Sequence, residues 1–205
     1  MTYNKMDEMI IVSPRSATFS NEELTFQGVN SDKESTQKIV ANMASSYSVM
    51  RRGDAEENPE YKQPIPYCVL KQGNEVFGYK RLSGGGEKRL HNQISLGVGG
   101  HVNNIEGLDF YDIISESLKR ELDEELFIDQ EKISLDTIGL INDDLNEVGR
   151  VHIGMLVIAE LEEGLTVSVK ETDQLEGIWF TVDELKQSEV FDSLEAWSQF
   201  VVDIL

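Results

Sequence analysis

Cysteine is nearly missing from this 205-residue chain. Cys68 stands alone, so no internal disulfide can form, and it reads as a small buried hydrophobe. Without a disulfide framework, a cytoplasmic location is the default expectation. No apolar run approaches the ~20 residues that a membrane-spanning helix needs. The opening stretch MTYNKMDEMIIVSP has no basic segment followed by a long apolar one, so neither a signal peptide nor a membrane role is expected. Three histidines, without HExxH or clustered cysteines, are not expected to make a zinc site. Positive charge is also scarce: 18 Lys and Arg stand against 38 Asp and Glu, a formal net charge of −20. Binding an extended nucleic acid through its phosphates requires a basic surface, so that class of partner is excluded.

What positive charge exists is concentrated. Between Tyr61 and His91 there are six bases (Lys62, Lys71, Lys80, Arg81, Lys88, Arg89) and two acids (Glu75, Glu87), which gives +4 and leaves −24 for the remainder. Such a window suits a small anion, with cations handling the surrounding acidity. A decorated pair of strands would look the same.

Residues 8–13 (EMIIVS) read as a strand and 33–51 as a helix, with Ile39, Met43 and Tyr47 four residues apart. The polar, proline-punctuated stretch 51–66 marks a boundary, placing an N-terminal extension at 1–60 and a core domain at 61–205. YCVLKQ and EVFGYKRL flank Gly73–Asn74 as a hairpin. SGGGEK (83–88) is a flexible loop but not a Walker A loop, because no Gly-Lys-Ser/Thr follows. QISLGVGGH (93–101) is a strand running into a glycine pair, and 109–127 is the central helix. Strands are expected at 136–142, 150–161, 165–170 and 175–180, then a short helix from Val182 and an amphipathic one ending near Leu205. The expected class is α/β (α+β), a mixed sheet with helices packed on it.

The stretch LKRELDEELF (118–127) carries the chemistry. At ~100° per residue, Phe110, Ile114, Leu118, Leu122 and Leu126 form a slowly drifting apolar stripe, and Glu121 falls among them. Glu124 and Glu125 flank Glu121, while Asp112, Glu116, Lys119 and Asp123 point to solvent. Desolvating a carboxylate is costly unless something neutralises it. Hard divalent cations such as Mg²⁺ and Mn²⁺ do so with oxygen ligands. A charged helix partnered by Lys119 and Arg120 is the bland alternative.

GGHV followed by RELDEELFI resembles the signature of the Nudix hydrolases, G-x5-E-x7-R-E-U-x-E-E-x-G-U with U aliphatic. The match rests on Arg120, Glu121, Leu122, Glu124, Glu125 and Ile128. The longer run from YKQPIPYCVLK to RELDEEL looks like one bacterial branch of that superfamily, across most of the chain. Three positions depart from the pattern. The first signature Glu falls at Asp112, the late Gly at Phe127, and Gly100 stands 20 residues before Arg120 where the pattern has 14.

The resemblance implies an α/β/α sandwich with a mixed sheet and a pyrophosphohydrolase that uses Mg²⁺ or Mn²⁺ on a small-molecule diphosphate, such as a nucleoside diphosphate derivative. It implies Glu121, Glu124 and Glu125 as metal ligands, joined by a carbonyl near Gly99 and Gly100. Arg120 then holds Glu121, and a loop acid is the general base: Glu171 is preferred over Glu147. Arg81, Lys88 and Arg89 are candidate phosphate grips, and Arg150 and His152 candidate substrate contacts. A homodimer is the favoured oligomer. Two rivals are a Nudix-fold sensor that binds nucleotide without turnover and an isopentenyl-diphosphate-isomerase-like enzyme, which would need a cysteine in the site. A purely structural cation site is a third.

Overall fold

The computed structural model describes residues 4–82, 93–129 and 133–205, with the backbone alone for Arg81 and Ser134. A 3-10 turn at Lys5–Asp7 leads into β1 (Met9–Pro14), α1 (Arg15–Thr18), β2 (Gly28–Asn30), α2 (Lys33–Ser46), β3 (Ser48–Arg51) and α3 (Arg52–Ala55). Then come β4 (Tyr61–Gln72), β5 (Glu75–Arg81), β6 (Ile94–Ser95), β7 (Gly97–Val98), α4 (Phe110–Glu125) and β8 (Leu126–Phe127). They are followed by β9 (Ile133–Asn142), α5 (Glu147–Val151), β10 (His152–Leu161), β11 (Ser168–Val169) and β12 (Leu175–Thr181), then by α6 (Val182–Leu185), α7 (Ser188–Phe191) and α8 (Ala196–Val202). The main sheet has the order β12-β5-β4-β10-β9-β2, with β1, β3, β6 and β7 joined to it off that path. This is the mixed α/β architecture expected from the sequence. No helix among the described residues is long and apolar enough to cross a membrane.

Two compact units make up the chain. The first comprises residues 1–66, 100–119 and 139–155. Its core gathers Ile11, Phe19, Ile39, Met43, Phe110, Ile113, Leu140 and Ile153. Helix α2 contributes Ile39 and Met43, one turn apart, and starts where the Asp32 carboxylate accepts from the Ser35 amide at 2.9 Å. It stops at Ser46, short of the expected Arg51. Ser45 and Ser46 turn their hydroxyls back onto the Asn42 carbonyl, a bond that competes with helix continuation. Tyr47 is extended, and Ser48–Arg51 pair antiparallel with β1 from Val12↔Ser48 to Met9↔Arg51. The pairing edge of β1 outweighs local periodicity here. The stretch 51–66, expected to be a connection throughout, is one only from Glu56 to Glu60: Arg51 ends β3 and Arg52–Ala55 form α3. Tyr61 and Lys62 already pair with Pro14 and Ser13.

The second unit comprises residues 67–99, 120–138 and 156–205. The expected hairpin is present, with Lys71↔Val76 and Gln72↔Glu75 closing on Gly73–Asn74. Gly73 has φ +59°, a conformation glycine adopts without steric cost. Strand β12 pairs with β5 along its whole length, from Leu175↔Arg81 to Thr181↔Glu75, and stacks Trp179 edge-on against Phe77 at 5.3 Å between ring centres. The expected strand at 165–170 shrinks to Ser168–Val169.

Helix α8 is seated by a buried polar knot. The Tyr67 hydroxyl lies 2.8 Å from both Glu195 Oε1 and Ser198 Oγ. Ser95 Oγ donates to the same Glu195 oxygen at 2.6 Å, and the Leu96 amide donates to Ser198 Oγ at 2.9 Å. Burial, reinforced by the nearby Glu195 charge, holds the Tyr67 phenol well above its ordinary pKa. Tyr67→Phe should therefore cost about 1–3 kcal/mol, because it strands buried partners. A thermal melt would show it, and an unchanged melting temperature would remove the knot from the account of stability.

Candidate active site

Helix α4 begins at a side-chain cap: the Asp109 carboxylate accepts from the Asp112 amide at 3.0 Å. Asp112, at the position of the first signature Glu, is itself exposed. The inward face consists of Phe110, Ile113, Ser117, Leu118, Leu122 and Leu126, so the stripe runs through Ile113 more deeply than through the half-buried Ile114. Glu121 lies within this face, only 8% exposed. Glu125 is half-buried and Glu124 is exposed. Arg120 joins two of the three acids: its guanidinium reaches Glu121 at 2.6 Å and Glu124 at 3.0 Å. Burial alone would lower its pKa, but these two carboxylates outweigh that and raise it. The side chains thus offer hard oxygen donors at i, i+3 and i+4 on one helix. That donor set fits a Mg²⁺ or Mn²⁺ ion, with Arg120 fixing two of the donors.

A second polar cluster lies in the first unit. Among the described residues, Glu56, His101 and His152 form the group of three metal-capable side chains whose ligand atoms all fall within 4.8 Å of one another. His101 Nε2 lies 3.0 Å from Glu56 Oε1 and 3.2 Å from His152 Nε2, and His152 Nε2 lies 3.8 Å from the same Glu56 oxygen. His152 is 5% exposed. Its burial, with the adjacent His101 adding to the effect, pushes its pKa down to about 4. Burial would raise the Glu56 pKa, but the two imidazoles and Arg52 outweigh it and hold the carboxyl at about 2.

Next to this cluster is a buried lysine. Lys62 is fully buried and donates to Asp144 at 2.9 Å, to the Gly149 carbonyl at 3.0 Å and to the His152 carbonyl at 3.2 Å. Arg15 grips both Asp144 oxygens, at 2.7 and 2.9 Å, and also Glu22.

No family model matches the chain. Protein YmaB of Bacillus subtilis (strain 168) is 55% identical to it over 203 residues, 98% of either chain. The crystal structure of Tm1382, a candidate Nudix hydrolase, superposes with a TM-score of 0.78 at 29% identity, over 96% of this chain and 97% of that one. The chain belongs to the Nudix hydrolase superfamily, in the family of Protein YmaB. It is a pyrophosphohydrolase in the general sense that membership gives. A bifunctional NMN adenylyltransferase/ADP ribose pyrophosphatase from Francisella tularensis, solved with AMP and a Mn ion, shares the fold at TM-score 0.50 and 13% identity, over 70% of this chain and 41% of that one.

In this Nudix chain the late signature glycine is Phe127, and the structure shows what replaces its function. No left-handed residue ends α4. Leu126 and Phe127 run straight into β8, paired with β11 as Ser168↔Phe127 and Val169↔Leu126. Lys170 caps the helix end: its amide donates to the Glu125 carbonyl at 2.9 Å and its ammonium to the Asp123 carbonyl. A cation on the last carbonyls also opposes the negative end of the helix dipole. The Lys170 ammonium lies 5.1 Å from the centre of the exposed Phe127 ring.

Glu171 directly follows Lys170, one residue from that main-chain bond to Glu125. It is exposed, and its carbonyl accepts from the Gln174 and Leu175 amides. Glu147 opens α5, also exposed. Gly100 is half-buried in the segment after β7. Arg150 is not on a strand as expected. Asn146 caps the Gly149 amide at 2.7 Å and makes 147–151 a helical turn, so β10 starts only at His152 and Arg150 is exposed. Of the basic window, Arg81 is on β5, whereas Lys88 and Arg89, with the SGGGEK loop, lie outside the described residues. Cys68 is fully buried in β4, and burial pushes its thiol up to about 12. That removes the cysteine an isomerase-like reaction would need.

Sequence reasoning missed Glu56 altogether. It sits in a polar stretch with no motif, and its two histidine partners are far away in sequence.

Proposed function

We propose that this Nudix chain is a divalent-cation-dependent hydrolase that cleaves the pyrophosphate bond of a small nucleoside diphosphate derivative. The observation that carries this reading is Glu121 desolvated on the inner face of α4, with Glu125 beside it and Arg120 bridging Glu121 to Glu124. Desolvating a carboxylate is costly unless it is neutralised, and a hard divalent cation suits a set of oxygen donors on that face. The AMP and Mn ion in the Francisella fold relative support the pairing of a nucleotide with such a cation. Glu121, Glu124 and Glu125 would hold Mg²⁺ or Mn²⁺. A bound divalent ion neutralises phosphate oxygens and acidifies water.

The chain's own groups do the rest. Arg120 orients the acids. Glu171 takes the proton from the attacking water, and it is favoured over Glu147 because its segment is hydrogen-bonded to the end of α4. Arg81, Lys88 and Arg89 grip phosphate oxygens, and Arg150 is a further candidate for substrate contact. We assign His152 no substrate contact, because Val148, His101 and Glu56 already surround its ring. The lone, buried thiol fits a cytoplasmic setting.

The test is product release from a panel of diphosphate compounds with Mg²⁺, with Mn²⁺ and with chelator. Cleavage of one compound that chelator stops is expected. Glu171→Gln should lower kcat by ~10²–10⁴-fold, while Glu147→Gln stays near wild type. The reverse pattern would move the base to Glu147. No cleavage of any compound, while one of them raises the melting temperature, would mean a nucleotide sensor and end the enzyme reading.

A further inference from the structure

We propose that Glu56, His101 and His152 form a second metal site, selective for Zn²⁺ or a similar borderline transition-metal ion, distinct from the carboxylate site on α4. The geometry points there first. Zinc–nitrogen and zinc–oxygen bonds of ~2.0–2.2 Å at tetrahedral angles place neighbouring ligand atoms roughly 3.3–3.5 Å apart. The three separations here are 3.0, 3.2 and 3.8 Å. Three protein atoms thus outline one face of a tetrahedron, and the fourth position is left for water or another oxygen.

Hydrogen-bond accounting points the same way. His152 Nδ1 lies 2.7 Å from the Val148 carbonyl. A carbonyl only accepts, so Nδ1 carries the proton and a neutral His152 presents a lone pair at Nε2. Holding a histidine by its other nitrogen on a backbone carbonyl is how metal-ligating imidazoles are oriented. The Nε2 lone pair faces His101 Nε2 and Glu56 Oε1. A single proton on His101 Nε2 points at one of those acceptors and leaves the other facing a lone pair. One cation satisfies all three atoms. Arg52 does not take that place: its Nε is 3.7 Å from Glu56 Oε1, and its Nη1 goes to Glu8 at 3.2 Å.

The donor set fixes the metal class. Two imidazoles and one carboxylate favour zinc and its neighbours, whereas oxygen-only acids favour magnesium. All three ligands lie in the first unit but come from separate segments: Glu56 at the end of α3, His101 after the glycine pair, and His152 at the start of β10. A bound ion would therefore pin the N-terminal segment to the other two.

The full chain, stripped with chelator and dialysed, is titrated with Zn²⁺ in excess Mg²⁺, next to His101→Gln, Glu56→Gln and Glu125→Gln. One Zn²⁺ per chain is expected in wild type and in Glu125→Gln. His101→Gln and Glu56→Gln should weaken binding by more than the ~10–100-fold that loss of a supporting hydrogen bond costs. Wild-type protein loaded with Co²⁺ gives a second readout that needs no variant: intense visible bands of a tetrahedral nitrogen-and-oxygen site. Absence of Zn²⁺ binding, binding unchanged in all variants, binding lost in Glu125→Gln instead, or only the weak bands of octahedral Co²⁺ would each overturn the proposal.

Discussion

Glu125→Gln should abolish most of the activity while leaving the fold in place. Glutamine keeps the size of the side chain and one oxygen, so α4 and its packing survive. What is lost is a negative charge at the inner edge of the helix, where Glu121 is already desolvated. Charge stabilisation by a bound divalent ion supplies several kcal/mol to such reactions. Losing ~4 kcal/mol of it is a ~10³-fold fall in rate, since each 1.36 kcal/mol is tenfold. The measurement is kcat on the best diphosphate at saturating Mg²⁺, with circular dichroism to confirm folding. A folded variant with wild-type kcat would remove Glu125 from the metal site and require a different acid there.

The largest effect on stability is expected at Asp144, not at any candidate catalytic residue. Lys62 is fully buried, and Asp144 is the anion that pairs with it. Burial pushes the Asp144 pKa up, but hydrogen bonds from Arg15, Lys62 and Asn142 outweigh it and hold the carboxyl well below the ordinary range. Burial lowers Lys62 to about 8, against the pull of Asp144. Removing one partner of a buried pair costs ~3–5 kcal/mol. At ~2–4 °C per kcal/mol for a chain of this size, Asp144→Ala should melt ~6–20 °C below wild type. Lys62→Met combined with Asp144→Ala should recover part of that loss, because the orphaned ammonium is then gone.

The pH dependence has a definite sign. A carboxyl whose folded pKa is depressed contributes stability above its unfolded value of ~3.9, and that contribution is lost as pH falls below it. Denaturant melts of wild type and Asp144→Ala should therefore converge on acidification. A constant gap between them would contradict the pairing.

Local physics made much of the fold legible. The Gly73–Asn74 turn, the strands around it and α4 carry their own signals in turn chemistry and period. One failure came where a distant partner decided the outcome, another where a local cap did. Val49 and Met50 continue a helical pattern, but β1 offers them a pairing edge, and no local rule sees that edge. Arg150 and Val151 read as strand because His152 and Ile153 follow them. The Asn146 cap overrides that reading through a side-chain bond to Gly149. In the candidate site, the acids of α4 were readable because one helix carries all three. Glu56, His101 and His152 were not, since ligands contributed by three separate segments leave no spacing to detect.

The replacement of a helix-ending glycine by a strand has a consequence for local opening. The end of α4 and the segment bearing Glu171 share main-chain bonds: Lys170 to Glu125, and the β8–β11 ladder. Neither can fray without releasing the other. In native-state hydrogen exchange the Lys170 amide and the ladder amides of β8 and β11 should therefore share one opening free energy and one denaturant dependence, as a cooperative unit does. The acids at the helix end and the acid just past β11 would then become disordered together, so the protein passes from an assembled constellation to a dispersed one with no half-built state between.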